Sequence, residues 1–382
     1  MRKEYVVSTP PMGWNTWNTF YTEMNEDLVR STADAMAETG LLDAGYRYLI
    51  LDDGWSLRER GADGLLVPDP EKFPSGLSAT VDYVHGRGLK FGIYSCCGVH
   101  TCGRFPGSFE HEFSDARQFA AWGVDYLKYD NCYRPGTVSG EMLYRRMAMA
   151  LRASGRDILL AACQWGTEDV HRWIRSTGAH TFRSTVDIQD TWRSIESIAQ
   201  SQMEHLSANA PGCYNDMDML VVGMAGGGCN PEASLGGCTD EEYQTHFALW
   251  AMMGSPLIIG CDIRSMTEST RGILTNREVI AINQDPDGRG CYRLPTYASP
   301  EAFILVKPLA NGDYAIGFFN FGDAPAHVEL PFWDLGLTRE SGLLLRMRDC
   351  LAHEDLGPKK EYFAAVVPGH GCRVFRCGLA EG

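Results

Sequence analysis

A chain of 382 residues with 44% hydrophobic and 22% charged residues has an ordinary globular composition, long enough for a large barrel joined to a smaller unit. Its net charge of −15, from 34 basic and 49 acidic residues, argues against nucleic acid or an anionic membrane as partner, since both attract basic faces. Thirteen cysteines are an odd number over this length, so they read as small buried hydrophobes rather than a disulfide framework. Met1-Arg2-Lys3-Glu4 leads into Val6-Val7-Ser8-Thr9-Pro10-Pro11 with no apolar run long enough for a signal peptide or membrane span, and a cytoplasmic location is expected. Cys229 and Cys238 lack zinc spacing, and there is no HExxH, Walker A loop or dinucleotide fingerprint, so neither metal nor cofactor is expected.

From residue 10 to about 285, apolar runs, loops and amphipathic helices alternate. Pro11-Met12-Gly13-Trp14 reads as a first strand. Asn25 caps a helix with Leu28, Val29, Ala35 and Met36 on one face and Gly40 as its stop. Tyr46 to Leu51 is a second strand, ending in Asp52-Asp53-Gly54-Trp55; a turn-rich loop and a helix to about His85 follow. Leu89 to Tyr94 is the third strand, with a helix over Ser114 to Trp122. Tyr126 to Asp130 is the fourth, with a helix over Glu141 to Ala153. Ile158 to Ala162 is the fifth, running into Cys163-Gln164-Trp165-Gly166. A short sixth lies near Phe182-Arg183, before Asp187 and a helix near Thr191 to Leu206. The seventh reaches Asn215-Asp216-Met217-Asp218-Met219. Thr239 and Glu242 form a capping box for a helix to Met253. Leu257 to Gly260 is the eighth strand, and one last helix covers Arg271 to Ile282.

Eight strand–helix units, mostly without hairpin signals, imply parallel pairing. Polar clusters follow nearly every strand, as expected where loops meet on one face of a (β/α)8 barrel; a doubly wound sheet, the competing architecture, would gather them at one switch point. After Cys291 the pattern changes. Phe303 to Val306 and Tyr314 to Phe319 flank Asn311-Gly312, a hairpin signal. Further short runs at Val328 to Leu330, Leu343 to Leu345, Phe363 to Val367 and Arg373 to Phe375 complete a small antiparallel unit. The predicted fold is α/β: a (β/α)8 TIM barrel over 1–291, then a C-terminal antiparallel β-sandwich over 292–382, with Leu294-Pro295 near the boundary.

The strand ends collect Trp14, Trp17, Asp52, Asp53, Tyr94, Lys128, Asp130, Cys163, Trp165, Arg183, Asp187, Asp216 and Asp218. Carboxylates and cations bind sugar hydroxyls in defined directions, and aromatic faces cover the apolar side of the ring. Two of the carboxyls, after strands four and six, are placed to face each other as the pair a retaining glycosidase needs.

Gly13-Trp14-Asn15-Thr16-Trp17, Leu51-Asp52-Asp53-Gly54-Trp55, Lys128-Tyr129-Asp130-Asn131-Cys132, Arg183-Ser184-Thr185-Val186-Asp187-Ile188, Asn215-Asp216-Met217-Asp218-Met219-Leu220 and Val279-Ile280-Ala281-Ile282-Asn283-Gln284-Asp285 occur in that order. In these motifs the chain resembles glycoside hydrolase family 27, the α-galactosidase and α-N-acetylgalactosaminidase family. The resemblance implies Asp130 as nucleophile and Asp187 as acid/base, with the Asp187 pKa kept above that of Asp130. It implies Lys128 tuning Asp130 and holding hydroxyls, Asp52 and Asp53 accepting from the 6- and 4-hydroxyls, and Arg183 donating to the 2-hydroxyl. Asp218 and Met219 become pocket walls, and Trp17 and Tyr94 aromatic ones. Cys163 and the bulky Trp165 match the α-galactosidase type, with Trp165 filling the space of an acetamido group; Gln164 stands where the family often has Glu. Cys102 and Cys132 match a family disulfide, whereas Thr22 and Gly54 occupy the positions of a second one.

The implied activity is a metal-independent, retaining exo-α-galactosidase acting on small α-galactosides. Its rivals are an α-N-acetylgalactosaminidase, a β-L-arabinopyranosidase, a non-catalytic carbohydrate-binding barrel and a metal-dependent hydrolase built on the Asp clusters. The sequence leaves the oligomeric state open, a homo-oligomer being one option. Among plainer readings, Trp14 is core and Asp216 bonds backbone or Lys128. Arg193, His205 and His246 are solvated or satisfied, and Gly226-Gly227-Gly228 is a flexible loop.

Overall fold

The computed structural model describes residues 6–294, 296 and 299–381; Met1-Arg2-Lys3-Glu4 and Pro295 lie outside them. The first domain is built on β1 (Met12–Asn15), β2 (Tyr48–Ile50), β3 (Lys90–Cys96), β4 (Tyr126–Asp130), β5 (Leu159–Cys163), β6 (Thr181–Arg183), β7 (Tyr214–Asp216) and β8 (Leu257–Ile259). They form one sheet in the order β7-β6-β5-β4-β3-β2-β1-β8, with every pairing parallel. Leu220, just past β7, closes the ring by a parallel bridge to Ile259. Both strand faces are covered, which is why these runs are apolar throughout rather than alternating. Tyr48, Ile50, Tyr126, Leu159, Tyr214 and Ile258 fill the inside of the barrel. Leu49, Phe91, Leu127, Tyr129, Leu160 and Phe182 pack outward against the helices.

Parallel register explains how distant residues meet. Cys96 pairs with Asp130, Asp130 with Cys163, Cys163 with Arg183, and Arg183 with Asp216. Parallel partners share a face, so these residues form one row around the mouth. One layer below, Tyr94 pairs with Lys128, two residues before Asp130 and on the same face.

The helices follow local chemistry. The Asn25 side chain accepts from the Leu28 N–H at 2.8 Å and starts helix Glu26–Glu38. Thr239 and Glu242 exchange bonds in a capping box that starts Asp240–Met253. Three expectations need correction. The last helix is two, Glu268–Leu274 and Arg277–Asn283, because the Asn276 side chain accepts from the Glu278 and Val279 N–H groups and begins a new helix. The helix after β6 ends at Ser201 and passes into a 3-10 segment, Met203–Ala208. The β5–β6 connection holds short pieces, Thr167–Asp169, Val170–Trp173 and Ile174–Ser176, with Glu168 and Asp169 at positive φ.

The second domain is an antiparallel sandwich. Strands β9 (Tyr292–Leu294), β10 (Ala302–Pro308), β11 (Tyr314–Asn320), β13 (Leu343–Asp349), β14 (Glu354–Lys359) and β16 (Cys372–Glu381) pair in the order β14-β13-β16-β11-β10-β9. Strands β12 (Ala326–Pro331) and β15 (Tyr362–Val367) form the other sheet. Asn311-Gly312 turns the β10–β11 hairpin, with Gly312 at φ 88°. Ile304, Ile316, Phe318, Val328 and Phe375 are buried between the sheets. Helix Arg277–Asn283 joins the domains: Glu278 pairs with Arg348 at 2.6 Å, and Asn276 donates to the Cys350 carbonyl at 2.9 Å. The buried Lys307 ammonium donates to the Ile282 carbonyl at 2.7 Å.

Candidate active site

A blind cavity opens at the C-terminal mouth of the barrel. Trp17, Tyr21, Asp52, Tyr94, Cys102, Lys128, Asp130, Trp165, Arg183, Asp187 and Glu232 line it. Lys128 and Arg183 also line a tighter inner hollow whose wall includes Cys163, Asp218 and Met219. Of the residues singled out in the sequence, Asp53 lines neither hollow. Its buried carboxylate accepts the Gly103 N–H at 2.6 Å, and burial pushes its pKa up to about 6.

Asp130 ends β4 and is buried. It accepts from the Tyr94 hydroxyl at 2.9 Å and from the Asn131 N–H at 2.7 Å. Burial raises its pKa, while Lys128, the Asn131 N–H, Arg183 and Tyr94 all work the other way. The Lys128 ammonium donates to Asp52 at 2.7 Å. Burial opposes its charge, but Asp52, Asp130 and Asp218 hold it firmly protonated. Asn15 donates to the same Asp52 oxygen at 2.8 Å, and the Asp52 N–H donates to Thr16 Oγ1 at 3.0 Å. The motifs at β1 and β2 are therefore one polar unit on the cavity wall. The Asp216 carboxylate accepts the Asp218 N–H at 2.9 Å, the expected backbone bond, and burial first, then Asp218, pushes it up to about 6.

Arg183, at the end of β6, is buried and fully engaged. It donates to the Thr185 carbonyl at 3.0 Å, to Asp218 at 3.1 Å, and to Asp187. Asp187 is the exposed partner, its side chain 56% accessible. The Arg183 guanidinium holds its carboxyl below the usual range. The expected pKa order, Asp187 above Asp130, is thus reversed. The physical reason is plain: the cation that serves the mouth is bonded to Asp187, whereas Asp130 is buried.

Trp165 lines the cavity at φ 66° beside Gly166 at φ 78°. The Gln164 amide is buried away from the cavity and donates to Thr167 at 2.6 Å. Cys102 and Cys132 are joined as a disulfide with Cα atoms 5.3 Å apart. The grouping of Cys102, Asp130 and Cys132 would resemble a metal site by proximity, but the bridge commits both sulfurs. Thr22 and Gly54 are neighbours: a Cβ on Gly54 would lie 3.0 Å from the Thr22 Cβ. Trp14 is core, donating to the Cys261 carbonyl at 2.8 Å. His246 is not a solvated residue. It is buried, with Nε2 accepting the Val221 N–H at 3.1 Å and Nδ1 without a partner.

Two wall residues escaped the sequence reading. Tyr21 packs against Trp17, their ring centroids 4.6 Å apart and the planes tilted at 45°, and its spacing four residues after Trp17 was a usable signal. Glu232 lies in the long loop between β7 and helix Asp240–Met253, where no periodicity marks it.

The family described as Alpha galactosidase A matches residues 9–285, and the Alpha galactosidase C-terminal beta sandwich domain matches residues 301–377. The chain is 42% identical over 368 residues to an alpha-galactosidase of Cyamopsis tetragonoloba, covering 96% of this chain and 85% of that one. Among solved structures, alpha-galactosidase I from Mortierella vinacea superposes with a TM-score of 0.88 at 33% identity, covering 97% of both chains. The alpha-galactosidase of Saccharomyces cerevisiae with raffinose superposes with a TM-score of 0.88 at 29% identity, covering 98% of both.

Proposed function

The chain belongs to the α-galactosidase (melibiase) family, glycoside hydrolase family 27, and from that premise we propose that it is a retaining exo-α-galactosidase acting on small α-galactosides. The observation that carries this reading is the placement of Asp130 and Asp187 on one blind cavity, with Lys128 and Arg183 between the carboxylates of its wall. A blind pocket admits a chain end and not a chain interior, which supports exo action.

In this mechanism Asp130 attacks the anomeric carbon and forms a glycosyl-enzyme while Asp187 protonates the departing oxygen. Asp187 then deprotonates the water that releases the sugar with retained configuration. Tyr94 and the Asn131 N–H hold the Asp130 carboxylate. Asp52 and Lys128 on the wall take the hydroxyls at the far end of the ring, with Asp53 bracing that wall from behind through Gly103. Arg183 donates to the 2-hydroxyl. That bond draws it from Asp187, and the sugar covers Asp187 from water; both changes raise the Asp187 pKa when the acid is needed. Trp165 occupies the space beside the 2-position, which favours galactose over its 2-acetamido relative.

The test is an aryl α-glycoside panel. Wild type should prefer the α-galactoside over the α-N-acetylgalactosaminide and the β-L-arabinopyranoside. Asp130→Asn should lose about 10⁴-fold or more in kcat with its circular dichroism unchanged. Near-native turnover by Asp130→Asn removes the nucleophile assignment, and a preference for either rival sugar replaces the substrate.

A further inference from the structure

A second hollow starts where the sugar cavity ends. It is an open groove whose wall includes Asp187, Val186, Gln189, Arg193 and Ser197. Asp187 lines both this groove and the blind cavity. An acid that cleaves a glycosidic bond stands beside that bond, with the ring on one side and the leaving group on the other. With the ring against Asp52, Lys128 and Asp130, the departing oxygen and what it carries must leave past Asp187. The groove is what lies there.

The groove chemistry is that of a hydroxyl-rich ligand. The Val186 side chain is 69% exposed, a single apolar surface. Among the described residues, the side chains of Gln189 and Arg193 take part in no hydrogen bond or ion pair. Their donors are free at the groove wall. The Thr191 hydroxyl accepts the Ser194 N–H, and the Ser194 hydroxyl accepts the Gln189 N–H at 3.0 Å. That local network fixes the backbone that presents the two free donors.

We propose that this groove is the leaving-group subsite, and that it receives a saccharide whose hydroxyls are bound by Gln189 and Arg193 while Val186 covers its apolar face. The proposal rests on the reading of Asp187 as the acid/base. It makes Gln189 and Arg193 determinants of aglycone specificity, separate from the residues that hold galactose.

The test compares two substrates in the full-length enzyme. Raffinose carries a saccharide leaving group; α-galactosyl fluoride loses a single atom that needs neither the groove nor much acid assistance. The readout is the ratio of kcat/KM for raffinose to that for the fluoride. In the double variant Gln189→Ala, Arg193→Ala the ratio should fall about tenfold, the effect of losing two ordinary hydrogen bonds. Arg193→Lys alone should recover part of the loss that Arg193→Ala shows. An unchanged ratio, with the fluoride still hydrolysed, overturns the subsite and leaves the catalytic reading standing. A wild type inactive on both substrates overturns the catalytic reading, and the subsite with it.

Discussion

Arg183 serves two carboxylates, Asp187 and Asp218, and on the proposed mechanism this shapes how activity responds to pH. Its pairing with Asp187 depresses the acid in the free enzyme. A depressed pKa means the proton is lost at lower pH, so the protonated acid becomes scarce early as pH rises. On the proposed mechanism the substrate takes Arg183 away, and the loaded enzyme keeps the proton to higher pH. Because kcat/KM reports the free enzyme and kcat the loaded one, the alkaline limb of kcat should lie at higher pH than that of kcat/KM. Coincident limbs would rule out this account of Arg183. Asp53 has the opposite sign. Burial raises it from 3.8 to about 6, so the folded state binds this proton more tightly than the unfolded one. The stabilisation is complete below about pH 4 and is lost as pH climbs through 6, about 3 kcal/mol in all at roughly 1.4 kcal/mol per unit. Asp53→Asn should therefore raise Tm at pH 7 and flatten its decline between pH 4 and 7, while lowering turnover. A Tm that drops at pH 7 contradicts this. Residue identities at the strand ends were legible because a carboxylate or cation rarely ends an apolar run without a partner. Proton order was not legible: it depends on which carboxylate Arg183 reaches.

At the level of elements, the row of Asp130, Cys163, Arg183 and Asp216 comes from register alone. Short strands suffice because each presents only its last residues to the mouth. These strands were readable as apolar runs ending in polar residues. The break at Thr275-Asn276 was not, since Ile273, Leu274, Val279, Ile280 and Ile282 keep an apolar pattern across it. A cap is a local competition between side chain and backbone, and periodicity does not register it. Asn276 also donates to the Cys350 carbonyl, so it starts a helix and fastens the second domain. Asn276→Ala should cost about 1–2 kcal/mol in denaturant unfolding. A loss within error of zero would show that water replaces all three side-chain bonds of Asn276. The pieces between β5 and β6 were missed for a related reason: Glu168 and Asp169 sit at positive φ, which neither residue type announces.

Across the whole molecule, the join between domains is chemically committed. Lys307 comes from the sandwich, is buried, and donates to a carbonyl of the last barrel helix; burial lowers its pKa to about 8. Asp285 reaches the other way and accepts the Ala310 N–H at 3.0 Å. The motif from Val279 to Asp285 thus belongs to assembly: Asn283 donates to the Ser255 carbonyl, and Gln284 donates to the Pro10 carbonyl and accepts from the Thr9 hydroxyl, just ahead of β1. The chain's two-domain plan was visible in the change of pattern after Cys291, but these cross-links were not, because each joins residues far apart in sequence.

The ring itself is unevenly made. Strands β3 and β4 share five paired positions, whereas among the described residues the backbone bonds that close the ring between β7 and β8 run through Leu220: its N–H donates to the Ile258 carbonyl at 2.7 Å, and its carbonyl accepts the Gly260 N–H at 2.9 Å. A closed ladder unzips first at its thinnest rung. In native-state deuterium labelling, the Leu220 and Gly260 amides should exchange well ahead of Ile93 and Leu127. That seam lies at the root of the loop carrying Glu232, so the side of the cavity that breathes soonest would also be the one through which a sugar could be admitted.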